Sequence, residues 1–109
     1  MSQKILQINF NFNVTAEEYE KTVSPLAQQF ADVPGCQWKI WLMNESRNEA
    51  GGIYLFEDEE AFENFRQSEL AAMVKSHPAL SNFSMKDFTI LDEVSKVTRA
   101  PLAQVQEPA

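Results

Sequence analysis

Nine residues between positions 9 and 77 have side chains that could bind an aromatic molecule and act on it chemically. Aromatic rings form the apolar walls of ligand pockets, and amides and lysine donate hydrogen bonds to an anion. A carboxylate or an imidazole within hydrogen-bond distance can take up a proton. The residues predicted to form the pocket walls are Trp38, Trp41, Tyr54 and Phe56. Those predicted to donate hydrogen bonds to an anion are Asn9, Asn11 and Lys39. Those predicted to accept a proton are Glu49 and His77.

The same side chains also have structural interpretations that need no ligand. Trp38 and Trp41 can be one core tryptophan and one tryptophan at a contact between two copies of the chain. Asn9 and Asn11 can satisfy polar groups inside such a contact. His77 can be a loop residue, because a proline follows it.

Length and composition are those of a single acidic domain. The chain of 109 residues has 16 acidic and 9 basic side chains, which give a net charge of −7. Nucleic acids and anionic membrane surfaces bind basic patches, so neither is expected as a partner. No apolar run approaches the length of a membrane span, and the first residues lack the apolar core of a signal peptide.

A single cysteine and a single histidine limit the redox and metal chemistry of the chain. One cysteine allows no internal disulfide, which is typical of a reducing cytoplasm. Because no lysine, arginine or histidine is adjacent in sequence, Cys36 is predicted to be a small buried hydrophobe. A metal site built from cysteine and histidine is not expected.

The N-terminal part of the chain predicts a strand followed by a helix. From Lys4 to Asn13 polar and apolar residues alternate with the period of a half-buried strand. Thr15 and Glu18 have the spacing of a capping box, and an apolar stripe predicts a helix to about Ala31, interrupted near Pro25. The strand face predicted to take the core consists of Leu6, Ile8, Phe10 and Phe12.

The middle of the chain predicts a β-hairpin with bulky residues on both faces. Its strands are predicted from Cys36 to Glu45 and from Ala50 to Phe56, with a polar turn between them. Gly51 and Gly52 in the second of these strands predict either a bulge or a close approach of neighbouring atoms.

Alternation along the first hairpin strand separates the two tryptophans. Trp38 and Ile40 are predicted to meet the helices and any pocket, whereas Trp41 and Met43 are predicted on the opposite face. With Ile5 they would form an apolar surface that helices on one side of the sheet cannot cover. A homodimer in which two sheets meet face to face is therefore predicted.

The C-terminal part predicts a second helix, a fourth strand and an extended arm. Asp58 caps the helix, and Ser68 caps a further helical piece. A strand is predicted from Met85 to Val94, and the arm, residues 95–109, is predicted to reach a partner copy. The order β-α-β-β-α-β is that of a ferredoxin-like α+β sandwich with a four-stranded antiparallel sheet, predicted as one domain over residues 1–94.

Several segments also match a known sequence pattern. They are Trp38-Lys39-Ile40-Trp41, Glu49-Ala50-Gly51-Gly52-Ile53-Tyr54-Leu55-Phe56, the first strand from Leu6 to Asn13, Pro25-Leu26-Ala27 and Pro101-Leu102-Ala103-Gln104. In these segments the chain resembles the YdhR-type mono-oxygenase family. The resemblance implies a dimeric α+β barrel, and it implies a mono-oxygenase that needs no cofactor and acts on a phenolic or polycyclic aromatic substrate.

In such a reaction the substrate anion itself reduces dioxygen. The protein then supplies a dry aromatic pocket, donors that favour the anion and a base. The nine residues named at the outset are the candidates for these roles.

Two other functions remain open at this stage. One is a non-catalytic small-molecule-binding or stress-response module that uses the same pocket. The other is haem binding or degradation, although the third strand has Tyr54 and Phe56 where a tryptophan would be expected for that activity.

Overall fold

The computed structural model describes residues 3–102, which form one antiparallel sheet with helices packed on one face. The predicted ferredoxin-like α+β fold is confirmed. Residues 103–109, the end of the predicted arm, lie outside the described residues. The strands are β1 (Lys4–Phe12), β2 (Cys36–Asn44), β3 (Glu49–Phe56) and β4 (Leu80–Thr89), in the spatial order β2-β3-β1-β4. The helices are α1 (Ala16–Val23), α2 (Ala27–Ala31), α3 (Glu59–Arg66), α4 (Glu69–Lys75) and α5 (Asp92–Val97).

β1 is a central strand, paired with β3 on one side and β4 on the other. Its alternation is as predicted, because Leu6, Ile8, Phe10 and Phe12 are all buried against the helices. The ring of Tyr19 from α1 lies 6.1 Å from that of Phe10 and 5.1 Å from that of Phe12, between centroids. These ring contacts fix α1 over one end of β1.

Local signals determine where α1 begins and where it ends. The Thr15 hydroxyl accepts a hydrogen bond from the Glu18 backbone N–H at 3.1 Å, and the Glu18 carboxylate accepts one from the Thr15 N–H at 3.2 Å. The predicted capping box is therefore present. Pro25 lies in a 3-10 turn, Ser24–Leu26, that separates α1 from α2. This interruption is also as predicted, and after it Phe30 of α2 is buried over the sheet.

A β-bulge at Gln37 reverses the side-chain alternation of β2. Cys36 pairs with Phe56, whereas Trp38 pairs with Leu55, so β2 has one extra residue between two consecutive partners. Successive strand residues point to opposite faces, and an inserted residue shifts that alternation by one. Cys36 consequently faces the helices, and Trp38 faces away from them.

The bulge overturns the predicted orientation of β2. Lys39, Trp41 and Met43 face the helices, opposite inward-pointing residues of β3. Trp38 and Ile40 lie on the other face of the sheet. The prediction that Trp38 and Ile40 meet the helices while Trp41 and Met43 lie opposite is wrong, and the extra residue in β2 is the reason.

The last strand begins and ends earlier than predicted. β4 starts at Leu80, and a second bulge near Asn82, whose φ is 55°, turns Phe83 toward the helices. Asparagine tolerates this left-handed conformation better than most residues. The short helix α5 replaces the end of the predicted strand and the first residues of the predicted arm. Within residues 3–102, no helix is long and apolar enough to cross a membrane.

The sheet face away from the helices, called the open face below, is only partly covered. The indole Nε1–H of Trp38 donates a hydrogen bond to the Pro101 carbonyl at 2.7 Å. Because Trp38 is on one edge strand and β4 is the other, the chain after β4 crosses this face. Leu55, next to Trp38, is fully buried, whereas Ile40 and Phe88 are each 48% exposed.

Candidate functional site

A cavity of about 380 Å³ lies between the helix-facing side of the sheet and helices α1, α2 and α4. Cavities of this size hold small organic ligands. Four of the nine predicted site residues line it, namely Lys39, Trp41, Tyr54 and His77. Other aromatic rings in its wall come from Phe10, Tyr19, Phe30, Phe65 and Phe83.

Lys39 brings a basic amine into this apolar cavity. Its Nζ lies 3.5 Å from the ring centroid of Phe30, 3.5 Å from that of Trp41 and 4.7 Å from that of Tyr54. These three rings are called the aromatic cage below. Aromatic faces attract an ammonium ion. No carboxylate lies within ion-pair distance of this Nζ in the described part of the chain, so a bound ligand can supply the missing anion.

Gly52 makes room for the Lys39 side chain. A Cβ added at this position would lie 2.7 Å from Lys39 Cε and 3.5 Å from Tyr54 Cε1. The first of these separations is shorter than packed carbon atoms tolerate, so the lysine would have to move. The pairing of β3 with both neighbours runs through Gly51 and Gly52 without a shift. The glycines therefore mark a close approach and not a bulge.

Because Lys39 is largely buried, both the protonated and the unprotonated form of its amine are accessible near neutral pH. Desolvation lowers the pKa of Lys39 from its ordinary value to about 7, and the nearby Cys36 opposes this shift. The aromatic cage opposes it too, because its rings favour the ammonium form. The Cys36 thiol is itself half-buried, and burial raises its pKa. At neutral pH Lys39 can therefore accept a proton and, once charged, hold an anion.

Two tyrosine hydroxyls add hydrogen-bond donors to the cavity wall. Tyr19 is 5% exposed and Tyr54 is 4% exposed, and both line the cavity. Burial raises the pKa of Tyr19 to about 12 and also raises the pKa of Tyr54, so both phenols are neutral. Neither hydroxyl has a hydrogen-bond partner among residues 3–102. Buried hydroxyls are normally bonded, so a ligand with polar atoms would complete this site.

His77 lines the cavity from the β4 side of the sheet. Its Nδ1 accepts a hydrogen bond from the Ala79 backbone N–H at 3.1 Å, which leaves the proton of the neutral ring on Nε2. Lys39 and His77 belong to opposite edges of the sheet. Four strands at normal spacing place these edges roughly 14 Å apart. An elongated ligand can therefore contact both residues.

Five predicted site residues lie outside the cavity. Trp38, Asn9, Asn11 and Glu49 are on the open face, where the two asparagines form hydrogen bonds with other residues of the sheet and its turns. Phe56 is fully buried in the core beside the site. Among residues 3–102, no cluster of histidine, cysteine, aspartate and glutamate is placed to hold a metal ion.

Most residues of the cavity wall are not among the predicted site residues, and Tyr19 and Phe30 are two of them. Tyr19 and Phe30 belong to the apolar stripe of the first helix, and such a stripe is normally interpreted as core. Both are buried, yet both also line the cavity. The one signal in the sequence is that this stripe carries a tyrosine hydroxyl.

A bound aromatic ligand is expected to quench the fluorescence of Trp41 and to leave that of Trp38 unchanged, because only Trp41 lines the cavity. The measurement is a titration with a naphthol in the variants Trp38→Phe and Trp41→Phe. Quenching should persist when Trp41 is the remaining tryptophan and vanish when Trp38 remains. The reverse pattern would contradict the orientation of β2.

The buried amine also predicts how stability depends on pH. The pKa of Lys39 is about 7 in the folded chain and 10.5 as an ordinary lysine. Between these values the unfolded chain binds more protons, so the free energy of unfolding rises with pH, by up to about 1.4 kcal/mol per unit. Burial raises the pKa of the Cys36 thiol above its ordinary value of 9.0. Above pH 9.0 this thiol therefore lowers the free energy of unfolding as the pH rises, which opposes the effect of Lys39.

The rise is therefore expected between about pH 7 and 9. Urea unfolding of the wild type and of Lys39→Met at several pH values in this range measures it. The wild type should gain stability relative to the variant as the pH increases. A constant difference between the two proteins would show that Lys39 does not titrate in this range.

Solved structures with a similar fold include a cofactor-independent oxygenase and a heme-degrading protein. SnoaB, a cofactor-independent oxygenase from Streptomyces nogalater, matches with a TM-score of 0.67 and 21% identity, over 83% of this chain and 94% of that chain. The heme-degrader MhuD from Mycobacterium tuberculosis, solved with two hemes in its active site, matches with a TM-score of 0.62 and 19% identity, over 80% of this chain and 95% of that chain. At these identities the similarity shows the fold alone.

A search of the curated proteins finds no significant match. A family model described as "Putative mono-oxygenase ydhR" matches residues 5–101. This match spans all four strands, the cavity and the Trp38–Pro101 contact. The chain therefore belongs to the ydhR mono-oxygenase family.

Proposed function

We propose that the chain is a cofactor-independent mono-oxygenase that acts on a phenolic or polycyclic aromatic substrate held in the cavity. The observation that supports this most strongly is the Lys39 amine, which lies in an aromatic cavity without an ion-pair partner in residues 3–102. Family membership and the fold shared with SnoaB favour an oxygenase.

The first step assigned to this site is ionisation of the substrate. The phenol proton moves to the Lys39 amine, whose pKa of about 7 allows it to accept a proton at neutral pH. The resulting ammonium ion pairs with the phenolate, and the aromatic cage stabilises the ammonium. The hydroxyls of Tyr19 and Tyr54 donate hydrogen bonds to substrate oxygens, which holds the anion in a dry site.

The electron-rich phenolate then reduces dioxygen. The ring carbon para to the phenolate is oxidised, one oxygen atom becomes the new carbonyl oxygen of a quinone, and the other leaves as water. Two substrate hydrogens, one from the phenol and one from the oxidised carbon, leave in that water. His77 is assigned a positioning role, because its Nε2–H can donate to the far end of an elongated substrate.

Oxygen uptake with a panel of phenols and 1-naphthols that have an unsubstituted para carbon tests the proposal. Enzyme-dependent uptake, accompanied by quinone absorbance, is expected above the rate of spontaneous oxidation. The substrate panel should favour fused rings, because a single ring cannot contact both edges of the cavity. Absence of uptake with every member of the panel would contradict the oxygenase assignment.

A non-catalytic binding module is the second candidate function, and it would use the same cavity. It is favoured by the apolar wall and the two hydroxyls that have no partner in residues 3–102. A module of this kind predicts that naphthols raise the melting temperature without oxygen consumption. Thermal shift and oxygen uptake on the same samples therefore separate the two functions.

Haem binding receives less support from the geometry. A histidine that ligates iron normally donates its other ring N–H to an acceptor. In His77 the arrangement is the opposite, since Nδ1 accepts from Ala79 and the proton is left on Nε2. Haem titration is expected to leave the Soret band as it is for free haem, and a shift of the band that is lost in His77→Ala would support haem binding.

We also propose that the chain is a homodimer formed through the open face. Ile40 and Phe88 are each 48% exposed there, and an isologous contact of two sheets would bury both. Light scattering should give twice the mass of the chain, and Ile40→Asp should give the monomer. Met43→Asp is the matched control, because Met43 is 42% exposed on the opposite face. A monomeric wild type would contradict the dimer.

A further inference from the structure

Lys39 combines three features that suit a second kind of chemistry besides proton transfer. It lines an apolar cavity, its amine lies against the rings of the aromatic cage, and it has no ion-pair partner in the described part of the chain. Lysines in such surroundings act as nucleophiles toward carbonyl compounds. The surface lysines of the chain differ: Lys21, for example, is 77% exposed at its side chain and lies 3.9 Å from Glu17.

We propose that Lys39 is a nucleophilic amine that forms an imine with an aromatic aldehyde bound in the cavity. This activity shares the cavity with the proposed oxygenase but needs no dioxygen. The ligand class is an apolar aromatic aldehyde, because the wall consists mainly of rings and aliphatic side chains.

The reaction is balanced without any further reagent. The amine lone pair forms the new bond to the carbonyl carbon, and the carbonyl oxygen becomes a hydroxyl. That hydroxyl then leaves as water, which carries away both hydrogens of the amine, and a carbon–nitrogen double bond remains. The hydroxyl of Tyr54, on the strand residue directly opposite Lys39, can donate to the oxygen in both steps.

The groups around the amine leave it able to react at neutral pH. On its own strand it faces Trp41 and the Cys36 thiol, whose pKa is raised by burial. From β3 it faces Tyr54 and from α2 it faces Phe30, neither of which carries a charge at this pH. Because burial lowers the pKa of Lys39 to about 7, far more of this amine is unprotonated at neutral pH than in an ordinary lysine.

Reductive trapping tests the proposal directly. The full-length protein is incubated under nitrogen with naphthaldehyde and sodium cyanoborohydride, and the labelled lysines are located by peptide mass spectrometry. At pH 7 Lys39 should be labelled at least about 100-fold faster than Lys21, because an ordinary lysine is almost fully protonated there. Excess naphthol should block labelling of Lys39 and leave Lys21 unaffected.

Three variants make the result decisive. Lys39→Met should lose the fast labelling and keep the slow labelling of surface lysines, while Lys21→Met should keep the fast labelling. Lys39→Arg serves as a second, charged replacement and should also lose it. Labelling of Lys39 no faster than that of Lys21 would overturn the proposal. Because the assay excludes oxygen, fast labelling of Lys39 would support imine formation even if oxygen uptake were absent.

Discussion

Replacing Lys39 with methionine is expected to lower kcat/KM for oxygen uptake with a naphthol by at least about 100-fold. Methionine has a flexible apolar side chain of similar length, so it can fill the same space against the aromatic cage. What is lost is the amine 3.5 Å from two ring centroids, to which the proposed mechanism assigns acceptance of the phenol proton and pairing with the anion. An oxygen electrode and a stopped-flow record of quinone absorbance measure the effect.

The control for this variant is Lys21→Met. It removes a lysine from the exposed face of α1, outside the cavity. Its kcat/KM should match that of the wild type, and its fold can be compared with that of Lys39→Met by circular dichroism. Equal activity in the wild type and Lys39→Met would show that another group ionises the substrate.

Replacing the neighbouring Gly51 and Gly52 with alanine is expected to have different effects, on stability at Gly51 and on activity at Gly52. At Gly51 the added Cβ would overlap the backbone oxygen of Ile8, which is fixed in the β1–β3 pairing. A backbone atom inside a sheet cannot move aside, so Gly51→Ala should lose about 3–5 kcal/mol of unfolding free energy. At Gly52 the closest atom is instead Lys39 Cε, at 2.7 Å, near the end of a flexible side chain.

Gly52→Ala should therefore fold, at a cost of about 1–2 kcal/mol from the tight contact with the Ile40 carbonyl. Its kcat/KM for oxygen uptake should nevertheless fall toward that of Lys39→Met, because the added methyl group displaces the amine from the aromatic cage. Urea unfolding and oxygen uptake measured on both glycine variants check the pair. A fully active Gly52→Ala would mean that the position of the amine is unimportant.

Local patterns were sufficient to predict most of the fold. The alternation in β1 predicts its buried face, because one side of that strand meets the core along its whole length. The capping box at Thr15 and the interruption at Pro25 depend only on neighbours in sequence, and both are present. The order of strands and helices then leaves few topologies, of which the observed sheet is one.

The orientation of β2 could not be predicted in the same way. One extra residue at Gln37 exchanges the faces of Trp38 and Trp41, and nothing in the local sequence marks a bulge there. A shift of one residue moves every later side chain of a strand to the other face. The error therefore spread along β2 after Gln37 and placed Trp38, instead of Trp41, on the face that meets the helices.

The properties of the site depend on contacts that are distant in sequence. The sequence identifies Lys39 as a residue that can donate hydrogen bonds to an anion. Its lowered pKa, however, comes from burial under rings of α2 and β3. Tyr19 comes from α1, and His77 lies just before β4. Only the packing of these elements shows that their polar groups line one cavity.

The most direct test is an NMR titration of the lysine side chains, recorded through labelled ε-carbons with and without a bound naphthol. One resonance, absent from Lys39→Met, should titrate with a midpoint near pH 7 in the free protein, in line with the lowered pKa of about 7 for Lys39. Naphthol should shift that midpoint upward, since the phenolate stabilises the ammonium form. If every lysine titrates near its ordinary value, or if naphthol leaves the midpoint of Lys39 unchanged, the role of Lys39 as the group that ionises the substrate is contradicted.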